Sequence, residues 1–346
     1  MTVTIRGYGM WTAAGHDGPS TVAAMRAGVS GAERANLWDY SVGENLSAFR
    51  VAAHQWWEGS SFVPYLIAPV IGECWDRLPE LGIDNSADVP ILINIAPKDR
   101  PARNKTLERI VINTLPILTE RPLPPGSTVV SAGRVGLPYL LAKTQALRQP
   151  SAILVGAESF LQQSIADHYA EQQRLFNRLN SSGFTLGEAA AALIVSSGAH
   201  PGLQITGMGH GNDSSVAGGN KDTPVDGSGL TDAMRMALAD ADIQFYDITV
   251  SMADLNGEHF KFKEHAVATM RLDRLPPEKR SRRPREHLEH WNVIETIGET
   301  GAAHMFAACG WAYQAGRSGY LPGRVMLSAG EDDGQRVALV AEWSDG

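Results

Sequence analysis

Short continuous apolar runs alternate with longer amphipathic stretches along most of the chain. "VPILINIAP", "SAILVGAES", "AAALIVSS", "DITVSMADL" and "RVALVAEW" are runs of strand length, and such runs predict strands covered on both faces. Between them, "NKTLERIVINTLPIL" and "QQSIADHYAEQQRLF" repeat apolar residues at helical spacing, as amphipathic surface helices do. This alternation predicts an α/β fold with helices on both faces of largely buried sheets.

The pattern runs through the chain twice. "TVTIRGYGM" is a strand ending in Gly-x-Gly, followed by a helix "TVAAMRAG" capped by Ser20; "LQITGMGHG" and "LTDAMRMALADADI" repeat the arrangement after residue 200. Each half also holds a strand, a glycine turn and a helix of small residues: "TVVSAGRVGLPYLLA" in the first and "NVIETIGETGAAHMFAACGWA" in the second. The second of these helices carries no Asp, Glu, Lys or Arg between 301 and 316, so it has no solvent face of its own and belongs at the centre of a layered structure. Residues 1–200 and 201–346 are therefore expected to form two similar halves whose central helices converge on one site.

A chain of 346 residues with 43% hydrophobic residues buries a large core and excludes a small disulfide-dependent domain. The formal charge of −8 argues against nucleic acid or an anionic membrane as the main partner. A basic run over 271–285, "RLDRLPPEKRSRRPR", is read as a solvated connector because of its prolines. Cys74 and Cys309, the only cysteines, lie in apolar surroundings and fit free thiols in a reducing compartment. The longest apolar stretch, "FVPYLIAPVIG", is too short for a bilayer and the first 20 residues show no leader pattern. A cytoplasmic location is expected.

Several segments, taken in order, resemble the β-ketoacyl-ACP synthase (ketosynthase) branch of the thiolase superfamily. "GYGMWTAAGHDGPSTVAAMRAGVSG" resembles that family's opening strand, loop and first helix; "SSGFTLGEAAAALIVSSG" resembles its Gly-Phe and Leu-Gly-Glu-Gly-Ala motif. "ITGMGHGNDSSVAGGNKDTPVDGSGLTDAMRMALADADI" resembles the start of its C-terminal half. The resemblance spans residues 3–342 and implies a five-layered αβαβα thiolase fold, dimeric through the strand at 151–158.

It also implies where the chemistry of condensation belongs, and each position has changed. The family's cysteine elbow falls on "AGRVG", placing Gly133 at the nucleophile. Its first histidine loop falls on "NGEHF", placing Asn256 there with Glu258 and His259 following. Its second histidine falls on Glu299 of "TIGETGAA", where a carboxylate repels a developing oxyanion. Its glycine-rich loop with a gating phenylalanine falls on "SAGEDDGQRVALV", where Glu331, Asp332 and Asp333 are unfavourable for an incoming phosphopantetheine. Gly133 itself is read as a junction where backbone passes close to backbone.

Other sites weigh less. Cys309 lies two helical turns beyond the second elbow and reads as structural. Ser131 activated by His304 or His259, with Glu299 orienting the base, would make a hydrolase-like triad, with Arg134 lining the same pocket. His259 and His265 are six residues apart, which points them to different sides of a helix and excludes a shared metal. The Gly-x-Gly fragments are turns, so neither a dinucleotide nor any other cofactor or metal is implied. Trp56 and Trp57 suit a partner surface or core packing equally.

The favoured reading is a catalytically inactive ketosynthase-like protein that binds another protein. An adaptor or scaffold of the kind encoded in type VI secretion gene clusters is placed first, with a secretion component or effector as partner. The alternatives are an inactive subunit paired with an active ketosynthase, as homo- or heterodimer, an acyl hydrolase or decarboxylase, and an acyl-binding protein.

Overall fold

A computed structural model describes residues 3–52, 59–147, 149–213, 224–274 and 287–346. Trp56, Trp57 and the basic run from 275 onward lie outside the described residues. The first half comprises β1 (Val3–Thr12), α1 (Gly18–Ala27), the hairpin β2 (Ala32–Asp39) and β3 (Glu44–Phe49), α2 (Val63–Arg77), β4 (Ile91–Ile95), α3 (Leu107–Leu118), β5 (Thr128–Ser131), α4 (Gly136–Gln145), β6 (Ser151–Ser159), α5 (Gln163–Glu171) and β7 (Glu188–Ser197). The second comprises β8 (Gly202–Asn212), α6 (Ser228–Asp240), β9 (Ile248–Ala253), α7 (His259–Arg274), β10 (Glu289–His290), the single turn α8 (Ile294–Ile297), α9 (His304–Arg317), β11 (Arg324–Gly330) and β12 (Gln335–Ser344).

Apart from the separate β2–β3 hairpin, the strands form one sheet in the order β10-β9-β11-β12-β8-β1-β7-β6-β4-β5. Outward from the antiparallel β1–β8 junction, where Val3 faces Ile205 and Ile5 faces Leu203, the halves read β1-β7-β6-β4-β5 and β8-β12-β11-β9-β10. With the hairpin set aside, both are the same sequence of first, fifth, fourth, second and third strand.

Helices divide into three layers. Leu66, Val70 and Cys74 of α2 and Val111 and Leu115 of α3 pack with Ile153 and Val155 of β6 on one outer face. Met234 and Ala237 of α6 pack with Ala338 and Val340 of β12 on the other. Between the half-sheets, Leu137, Leu140 and Leu141 of α4 join Met305, Phe306 and Ala308 of α9 against Leu154, Leu193, Leu327 and Leu339. Burial of each such Leu or Phe contributes about 2 kcal/mol, which is why α9 carries no Asp, Glu, Lys or Arg before the exposed Arg317 at its end. The result is the αβαβα thiolase fold expected from the sequence.

Two local expectations change. Helix α1 is capped by Asp17, whose carboxylate accepts the Ser20 N–H at 2.7 Å, while Ser20 returns a bond from its third position. The strand at 151–158 is not a free edge: β6 pairs with β4 on one side and β7 on the other. Among the described residues the unpaired edge of the first half is β5, so a pairing partner has no access along β6. Cys74 and Cys309 are fully buried, free, and held in the thiol form by desolvation. Among the described residues no helix is long and apolar enough to cross a membrane.

Candidate functional site

The two central helices begin at matching elbows. After β5 the chain makes a single tight turn, Gly133–Val135, and enters α4; after α8 it makes the turn Gly301–Ala303 and enters α9. Gly133 and Gly301 both take left-handed backbone, φ 58° and 51°, which a side chain disfavours. A carboxylate also stands where each Cβ would be: Glu331 over Gly133 and Glu158 over Gly301, both closer than heavy atoms can approach. Glu158 lies on β6 and Glu331 directly follows β11. These are the fourth strands of their halves, so each half places a carboxylate on the other's elbow.

Those carboxylates accept the N–H groups that a helix start leaves free. The Arg134 N–H donates to Glu331 Oε2 at 3.0 Å, and the Ala302 N–H donates to Glu158 Oε2 at 2.8 Å. The Gly301 N–H donates to Glu299 Oε1 at 2.9 Å. Arg100 joins the elbows: its Nε meets Glu158 at 2.7 Å, and Nη1 and Nη2 meet Glu331 at 3.0 and 3.1 Å.

Arg134, wholly buried, extends the network inward, with Nη1 2.8 Å from Glu331 and Nε 3.2 Å from Glu299. Asn256 donates to Glu299 at 2.7 Å and to Glu258 at 3.1 Å. Arg174 grips Glu258 at 2.6 and 3.0 Å and Asp332 at 3.2 Å through two nitrogens. Lys261 pairs with Asp254 nearby. Burial pushes the Glu299 carboxyl upward, but the charges of Arg134 and Lys261 win and hold it well below the usual range. Arg100 and Arg134 lower Glu331, and Arg134 and Arg174 lower Asp332. Glu158 is the exception, where burial outweighs Arg100 and the pKa rises.

The outer end of the network opens on a cleft of about 150 Å³, lined by Asp99, Arg100, Tyr169, Arg174, Asp332 and Asp333 among others. That is below the several hundred Å³ usual for a small-molecule pocket. Inside, the Arg134 N–H at the first elbow is already bonded to Glu331. A carboxylate held by two guanidiniums and an amide is a weak nucleophile, since its charge is committed to those partners.

Gly133, Asn256, Glu299, Arg134, Glu258, Glu331 and Asp332 therefore meet in one buried network. The remaining predicted positions do not join it. Ser131 donates to Glu108 at 2.6 Å and accepts from Arg103 at 2.9 Å, so its hydroxyl is committed toward α3. His259 is exposed, with its N–H on the Ser182 hydroxyl, and cannot line the interior. His304 is buried at the start of α9, kept neutral by desolvation, with no hydrogen-bond partner for either ring nitrogen among the described residues. The hydrolase-like triad is thus not assembled.

Three physical readings are corrected as well. Gly133 makes room for a side-chain carboxylate and the Pro97 ring, not for another backbone. Glu299 is not a bare repelling charge: it accepts the Gly301 amide and is compensated by Arg134. The Glu331 loop is not simply acidic, because Arg100, Arg134 and Arg174 neutralise it from within. Arg100, Arg174 and Glu158 were not singled out in the sequence. Glu158 carried a signal, as the one charge inside the apolar run "SAILVGAES"; the arginines sit in polar segments that give none.

No protein-family description and no curated protein matches the sequence. Solved structures do match. A ketosynthase in complex with its chain length factor from Xenorhabdus doucetiae superposes with a TM-score of 0.74 at 14% identity, over 99% of this chain and 98% of that one. The ishigamide ketosynthase/chain length factor gives 0.73 at 16% identity, over 99% of both chains. A β-ketoacyl synthase from Burkholderia phymatum gives 0.69 at 16% identity, again over 99% of both. At these identities the likeness is one of fold, and it covers the whole chain.

Proposed function

We propose that the protein is a non-condensing member of the ketosynthase-like branch that acts by pairing with a second protein chain, most directly one of the same fold. One observation carries the reading: the elbow that would present a nucleophile is a glycine whose side-chain space and helix-start amide are both occupied by Glu331. Such an elbow has no group to take an acyl chain from a carrier thioester.

Pairing draws support from the sheet. β5 is an unpaired edge, and exposed edges invite strand addition or must be covered. Its four residues are only half-buried, and Ile112 and Ile117 of the neighbouring α3 and Tyr139 of α4 expose large apolar surface. Ketosynthase and chain length factor occur together in the complex from Xenorhabdus doucetiae, and a subunit without a working elbow suits the non-condensing place in such a pair. A second reading, a scaffold or adaptor for another protein, uses the same inert centre and draws on the separate exposed side chains of Trp38, Tyr40, Phe176 and Leu179.

The test combines two measurements on the purified chain. Intact-mass spectrometry after incubation with acetyl- and malonyl-carrier thioesters is expected to show no adduct, and sedimentation with a panel of ketosynthases is expected to show a one-to-one complex. A stoichiometric acyl adduct would overturn the inert centre. A monomer that ignores every ketosynthase offered would overturn the pairing.

A further inference from the structure

The hairpin β2–β3 and the loop after α5 expose four large hydrophobic side chains together: Trp38 at 42%, Tyr40 at 78%, Phe176 at 53% and Leu179 at 72%. The two segments that carry them are fastened to each other. Asn177 donates to Asp39 at 2.8 Å, and Arg178 donates to the Val42 carbonyl at 2.8 Å.

The loop is also fixed internally. Asn177 Oδ1 accepts the Leu179 and Asn180 N–H groups at 2.9 Å, and Asn180 Nδ2 donates to the Gln173 and Leu175 carbonyls at 2.8 and 3.0 Å. Large apolar groups carried out into water on a pre-shaped turn are the arrangement that lowers the entropy cost of binding. The same loop supplies Arg174, two residues before Phe176, to the lining of the cleft.

Charge selects the occupant. Every guanidinium nitrogen of Arg100 and Arg174 already meets a carboxylate, so an anion entering the cleft would find no uncommitted arginine there. A cation would instead meet the exposed rim carboxylates of Asp99 and of Asp333, the latter held only by the neutral amides of Gln335. We propose that this surface docks a segment of a partner protein with an apolar face, set against Trp38, Tyr40, Phe176 and Leu179, and a lysine or arginine that enters the cleft. The surface shares no residue with the β5 edge, so this inference stands apart from the pairing proposed above.

The test is a fluorescence anisotropy titration of the full chain with a labelled amphipathic peptide of leucine, phenylalanine and lysine, beside a counterpart carrying glutamate for lysine. The lysine peptide is expected to bind and to weaken with salt. Its affinity is expected to fall roughly tenfold in Tyr40→Ser/Leu179→Ser and in Asp99→Lys/Asp333→Lys, and to stay unchanged in Ile117→Lys. All the substituted side chains are exposed, and melting curves of the variants check that the fold is kept. Equal binding of the glutamate peptide, or unchanged affinity in either double variant, overturns the proposal. Self-association of the wild-type chain that Tyr40→Ser abolishes also overturns it, by assigning the surface to a second copy.

Discussion

Any side chain at Gly133 must displace the Glu331 carboxylate and the Pro97 ring, and must hold φ 58° without glycine's freedom. Gly133→Ala is therefore expected to cost about 2–4 kcal/mol, read as a lowered urea midpoint. Gly133→Cys is expected to suffer equally and to remain unreactive toward iodoacetamide in the folded state, because the thiol has no room beside Glu331. Rapid alkylation of a folded Gly133→Cys would show that the elbow is open. From the other side, Glu331→Ala leaves Arg100 and Arg134 buried with fewer counter-charges, a loss of about 3–5 kcal/mol. Formate or acetate is small enough to take the vacated position between the guanidiniums, so either salt at tens of millimolar is expected to raise the melting temperature of Glu331→Ala more than that of wild type. Equal shifts in both proteins would mean that the network does not bind a carboxylate as a unit.

The strands, the central helices and the doubled plan were legible because each rests on local periodicity: buried runs of strand length, and a helix lacking charge on every side. The choice of free edge was not, since "SAILVGAES" and "TVVS" are both apolar and only the strand order shows that β6 is internal and β5 is not. Likewise Gly133, Asn256 and Glu299 were placed by motif frames, whereas the partners that give Glu331 its meaning lie far off in sequence, Arg134 by 197 residues and Arg100 by 231. Ser131 and His259 misled because a motif places a residue near a site without saying where its side chain points. The β5 edge yields a prediction of its own. Ile117 is 75% exposed and Tyr139 55%, so Ile117→Lys/Tyr139→Lys is expected to leave stability within about 0.5 kcal/mol per site while weakening any dimer at least about tenfold in sedimentation. A dimer that survives both charges would place the interface elsewhere.

Across the whole molecule, the centre where the two halves meet is held by compensated charge as well as by apolar packing, and this makes its stability depend on pH in a definite direction. Glu299, Glu331 and Asp332 have folded values below their ordinary ones of 4.5, 4.5 and 3.8. Each therefore contributes stability that is present above its unfolded value and is lost as pH falls toward the folded one. His265 is pulled down from 6.5 to about 4, chiefly by burial and then by His290, so its contribution is lost as pH falls from 6.5 to 4. Burial lowers His304 in the same sense. Glu264 opposes them: burial and Asp213 raise it to about 7 despite its ion pair with Arg336, so it stabilises on acidification from 7 toward 4.5. Between pH 7 and about 4.5 Glu264, and Glu158 with it, oppose the imidazoles, and below about 4 the loss of the three depressed carboxylates prevails. The urea midpoint is accordingly expected to decline gently from pH 7 to 4.5 and steeply below 4, and Asp332→Asn is expected to flatten the acid limb while lowering the midpoint at pH 7. An acid limb equally steep in wild type and Asp332→Asn would place the titrating groups outside the network that joins the halves.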